Sequence, residues 1–105
     1  MIKTELYDVV ELLVDLPQIG LKSGQLGTIV EIHNDNAYEV EFSNSDGETL
    51  GFLALKTEQF IVVWKHQTHN WIPLADRVHA MLEILPEDRQ TQVLDFTRSL
   101  YRVPA

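Results

Sequence analysis

Up to about Lys65 the chain alternates apolar and polar residues with a period of two, and beyond it the period lengthens to that of a helix. Leu6 to Leu16 sets Val9, Val10, Leu12 and Val14 among Asp8, Glu11 and Asp15 and predicts a first strand, stopped at Pro17, which has no N–H to give a central ladder. Pro17, Gly20, Ser23 and Gly24 punctuate a long loop, and Gly20, Gly24 and Gly27 are read as turn glycines. A second strand starts at Gly27. Its alternation puts Thr28, Val30 and Ile32 on one side and Ile29, Glu31 and His33 on the other, unless a bulge near Val30 turns Ile29 inward as well, so the register stays open. Asn34-Asp35-Asn36 tolerates the left-handed backbone of a tight reversal. Tyr38, Val40 and Phe42 then alternate strictly with Glu39 and Glu41, which assigns the first three to an inner face and the carboxylates to an outer one. A turn over Ser43–Glu48, a strand around Leu50–Leu55, one helical turn at Lys56–Gln59 and a fifth strand over Phe60–Trp64 complete a mainly β unit. The expected architecture is a closed or nearly closed five-stranded antiparallel barrel.

After Lys65, residues 66–72 are polar at first and read as a linker. Leu74, Val78, Met81, Leu82 and Leu85 fall on one face of a helix. Pro86 ends that helix and opens another, with Glu87 and Asp88 at the positive end of its dipole and Val93, Leu94, Phe96, Thr97, Leu100 and Tyr101 along one side. The predicted organisation is therefore a barrel over 1–65, a linker over 66–72 and a helical hairpin appended over 73–105.

The order Val9-Val10, then Leu21-x-x-Gly24-x-x-Gly27-x-Ile29-Val30-x-Ile32, then Tyr38-x-Val40-x-Phe42, resembles SH3-like barrels of the KOW type. It is closer still to an uncharacterised bacterial family of such barrels, a domain of unknown function whose members share the DLP, GxxGT and YEVEF segments. That resemblance covers about the first sixty residues and implies an SH3-like fold, with no catalytic motif to transfer. The stretch from Leu85 to Phe96 resembles helical tails of small bacterial proteins, antitoxin-like ones among them.

Charge changes the functional picture. The net charge is −8, and it is uneven. Met1–Lys65 holds four Lys and no Arg against eleven Asp and Glu, whereas His66–Ala105 holds four Arg against five acids. A surface that neutralises phosphates needs Lys and Arg, and the predicted barrel is short of both. Cysteine is absent, which excludes disulfides, thiolate nucleophiles and Cys-ligated metal. No run approaches the roughly 18 apolar residues of a membrane helix, and the acids within the N-terminal apolar run do not fit a signal peptide, so no membrane association and a cytoplasmic location are expected.

Candidate chemistry is sparse. The glycine spacing is neither a dinucleotide fingerprint nor a P-loop, and no nucleophile elbow is present. His66-x-x-His69 with Asp76-x-x-His79 is the one ligand-like grouping; its place in a linker argues against convergence, and neither a metal nor a cofactor is expected. No enzyme activity is expected, since no set of polar groups converges. The sequence instead points to a non-catalytic protein-protein interaction module. In it Glu31, Glu39 and Glu41 form an acidic stripe for a basic protein partner, and Trp64 and Trp71 supply aromatic contact area. Such a module would serve as an antitoxin or immunity-like inhibitor or as an accessory subunit, with a homodimer through the C-terminal helices as a further expectation. The alternative is the KOW-like nucleic-acid-binding module, which the acidic barrel disfavours and which would depend on Lys22, Arg77, Arg89, Arg98 and Arg102.

Overall fold

A computed structural model describes residues 2–102. Strands β1 (Val9–Leu12), β2 (Leu26–Asn34), β3 (Ala37–Ser43), β4 (Thr49–Lys56), β5 (Phe60–Lys65) and β6 (Asn70–Trp71) precede helices α1 (Leu74–Ile84) and α2 (Glu87–Tyr101). The strands form one antiparallel sheet in the order β4-β3-β2-β1-β5-β6. This corrects the expected closed five-stranded SH3-like barrel. The sheet is open, because β4 pairs with β3 alone and a 3-10 turn at Thr57–Gln59 carries the chain from β4 to β5 without a ladder between them. The sixth strand comes from the expected linker: His69 adopts a left-handed backbone (φ 55°), and Asn70–Trp71 doubles back onto β5.

Alternation explains the interior. Val10 and Leu12 of β1, Ile29 of β2, Tyr38, Val40 and Phe42 of β3, Leu55 of β4, and Phe60 and Val62 of β5 form one buried cluster. The sheet is curled enough for Tyr38 and Phe60 to meet edge to face, with ring centroids 5.7 Å apart. The open register of β2 resolves at Val30, where a bulge lies between the pairs Ile29↔Val40 and Glu31↔Glu39. Ile29 is thereby turned inward, and Glu31 stays exposed. Gly27 is no turn residue. It lies in β2 beneath β3, where a Cβ would come within 2.5 Å of Val40 Cγ1. Gly20 and Gly24, by contrast, do hold left-handed turn conformations.

The predicted first strand shrinks to Val9–Leu12, because Leu6 and Tyr7 turn and Tyr7 takes a φ of 69°. In β5, Phe60 and Val62 enter the inner core, while Ile61 and Val63 are buried outside that cluster on the opposite side of the strand. Helix α1 packs against β5 and accounts for that second burial. A run of apolar residues buried on both faces is what this arrangement requires.

The two helices follow one another across Leu85-Pro86, as their spacing predicts, and are tied together at that junction. Gln90 Nε2 donates to the carbonyls of Leu82 (2.9 Å) and Leu85 (3.1 Å), which ties the first turns of α2 to the end of α1. Beyond that, α2 makes no packing comparable with that of α1 on β5. The radius of gyration is 15.2 Å, against about 13 Å for a compact chain of this length, as expected for a projecting arm.

Candidate interaction face

Because Tyr38, Val40 and Phe42 point inward, Glu39 and Glu41 point outward, together with Thr28 on β2 and Phe52 and Ala54 on β4. Glu31 and Glu39 are directly paired across β2 and β3, so two carboxylates lie side by side on the outer face, Glu31 exposed and Glu39 half-buried. Like charges placed opposite one another destabilise a sheet unless a cation lies nearby. His33 Nε2 lies 2.9 Å from Glu39 Oε1, and Thr49 Oγ1 donates to Glu41 Oε2 at 2.6 Å, which fixes both rotamers on the outer face.

Sequence reasoning missed the apolar component of this face. Phe52, paired with Glu41, is 60% exposed, and Leu50 is 54% exposed. The signal was present in Thr49–Lys56: once Leu53 and Leu55 turn inward, alternation forces Phe52 outward. Leu26 on β2 is exposed as well. Glu11, between the inward residues Val10 and Leu12, adds a carboxylate opposite Leu26. The result is a set of exposed apolar side chains interleaved with Glu11, Glu31, Glu39 and Glu41.

Trp64 and Trp71 belong elsewhere. They are cross-strand partners on β5 and β6, and the three strand spacings between β3 and β5 amount to about 14 Å. Trp71 fastens α1, since the Arg77 guanidinium lies 5.8 Å from its ring centre and Arg77 Nε donates to the Ile72 carbonyl at 2.8 Å. Trp64 contacts His66 and His69, whose ring centroids are 5.5 Å apart, and Tyr7 meets His66 edge to face. Asp76 and His79 do not join these imidazoles. Both line a cleft of about 730 Å³ between α1 and β5, and His79 pairs with Glu83 at 2.8 Å. Among the described residues no group of three or more His, Cys, Asp or Glu side chains converges as a metal site.

A second feature that sequence reasoning missed lies under the Trp64 cluster. Asp8 is wholly buried and accepts hydrogen bonds from the Glu5 and His66 backbone N–H groups (2.9 and 3.0 Å) and from Lys65 Nζ (2.5 Å). Lys65 Nζ also donates to Glu5 Oε1 (2.9 Å) and to the Lys3 carbonyl (2.7 Å). Burial pushes the Lys65 ammonium down, but its bonds to Asp8 and Glu5 and the charges of both outweigh this, so its pKa lies above the ordinary 10.5. The network joins the segment before β1 to the end of β5. It is saturated and structural; on the outer face Glu39 is paired with His33 and Glu41 with Thr49, whereas Glu31 has no hydrogen-bond or ion-pair partner among the described residues.

A family model described as a domain of unknown function, DUF4926, matches residues 6–62. No curated protein and no solved structure gives a match. Among the described residues no helix is long and apolar enough to cross a membrane.

Proposed function

The chain belongs to the DUF4926 family, whose matched segment covers β1 to β4 and the first half of β5, and we propose that this sheet is a non-catalytic docking module for a basic, partly apolar protein segment. The observation that carries the reading is the pairing of Glu31 with Glu39 beside exposed Phe52 and Leu50. A cationic side chain placed between the two carboxylates relieves their repulsion, and an apolar neighbour covers Phe52. Charge of one sign over such a face speeds association with basic partners and rejects acidic ones. The role of that partner, a toxin held inactive or the core of a larger cytoplasmic assembly, is set by the partner and not by this surface.

The test combines two readouts. Amide shifts are followed while the protein is titrated with a peptide that alternates arginine with leucine, and the wild type is compared with Glu39→Lys/Glu41→Lys as bait for host proteins. Shifts confined to β2–β4, lost on raising the salt and lost in the double variant, support the reading. Equal binding by wild type and double variant overturns it. Retention of RNA or DNA at low salt, with no protein recovered, establishes the nucleic-acid alternative instead.

A further inference from the structure

Helix α2 carries an apolar stripe that this chain does not cover. Phe96 is 66% exposed and Tyr101 87% exposed, and Leu94 and Leu100 are exposed with them. A helix of 15 residues is marginal in water by itself, and most helices are held by burial of one face. The first part of the α1 stripe is open as well, at Leu74 and Val78, whereas Met81, Leu82 and Leu85 are half-buried.

We infer that α2 is the interface with a second copy of this chain, packed antiparallel about a two-fold axis. The charges along the helix select that occupant. Glu87 and Asp88 stand in the first turn and Arg98 in the last, with Arg102 as the C-cap. At 3.6 residues per turn, Glu87 and Arg98 are about three turns apart and lie on the same edge of the apolar stripe. Two helices that run antiparallel bring matching edges together, so each Glu87 meets the other copy's Arg98 when the axis passes close to Val93. In a parallel pair opposite edges of the two helices face each other, so Glu87 of one copy does not reach Arg98 of the other. With its C-cap Arg102 counted, α2 carries three acids and three arginines, so a strongly basic partner suited to the sheet face finds no complement here. The sheet, which holds most of the net negative charge, repels its own copy and leaves the arm as the place where two chains approach. An isologous contact of this kind closes on itself as a dimer. The inference does not depend on the acidic face of the sheet, which remains open to its own partner.

Sedimentation equilibrium of the full chain tests it, with amide spectra as a check on folding. The wild type is expected to dimerise, and Leu94→Glu/Leu100→Glu to be monomeric with its sheet resonances unchanged. Arg98→Glu alone and Glu87→Lys alone each place like charges at both ends of the interface and should raise the dimer dissociation constant about tenfold or more. Mixing these two single variants restores both pairs, so a one-to-one heterodimer of wild-type affinity is expected, as is a dimer from the chain carrying both changes. A wild type that stays monomeric to concentrations on the order of 1 mM overturns the proposal. So does a dimer indifferent to the charge reversals, or single variants that fail to rescue one another.

Discussion

The carboxylate of Asp8, fully buried, is held by the ammonium of Lys65 from 57 residues further along the chain. Asp8 precedes β1 and Lys65 ends β5, so the pair locks the entry of the sheet to the strand on which α1 rests. Breaking one partner of a buried pair leaves an uncompensated charge, and that costs more than the intact pair contributes. Lys65→Met is expected to destabilise the fold by about 3 to 5 kcal/mol, and Asp8→Asn/Lys65→Met by less, as measured by urea denaturation.

The same pair sets a pH dependence. The folded-state pKa of Lys65 is raised above 10.5, so the folded protein holds this proton more tightly than the unfolded chain does. Its stabilisation is complete below pH 10.5 and is lost as pH rises through the folded value. Denaturation midpoints followed into the alkaline range should fall more steeply for the wild type than for Asp8→Asn/Lys65→Met. Parallel curves would show that the ion pair does not contribute.

Phe42 and Phe52 separate stability from binding within one hairpin. Phe42→Ala empties the core and should cost about 3 to 5 kcal/mol, whereas Phe52→Ala, on the outer face, should change stability by about 0.5 kcal/mol or less and weaken the basic partner. Thermal unfolding and the peptide titration read the two effects.

Gly27→Ala tests the close approach of β2 to β3. The added methyl meets the side chains of Val40 and Phe42 and the Glu41 carbonyl, at 2.5 to 3.1 Å, and overpacking of this kind costs about 1 to 3 kcal/mol. A neutral result would mean that Val40 moves aside.

Truncation distinguishes the part of the C-terminus that is an appendage. Ending the chain after Leu85 removes α2 alone and should leave dispersed sheet resonances. Ending it after Lys65 removes β6, α1 and Ile72, which packs against the core, and uncovers Ile61 and Val63; loss of dispersion is expected there.

The β2–β3 hairpin was legible in the sequence because a period of two can be satisfied in one way once Tyr38, Val40 and Phe42 must be buried, and the same logic put Glu39 and Glu41 outside. Both helices were legible from their spacing and from Pro73 and Pro86 at their starts. Closure of the sheet was not, since it depends on whether β4 and β5 meet, and local alternation carries no information about strands that are not neighbours. The bulge at Val30, the packing constraint on Gly27 and the Asp8–Lys65 pair arise the same way, from contacts between segments distant in sequence. Periodicity determined which faces are apolar; the tertiary structure alone decided that β5 is covered on both sides and that the stripe of α2 is left uncovered, because burial is a property of pairs of elements.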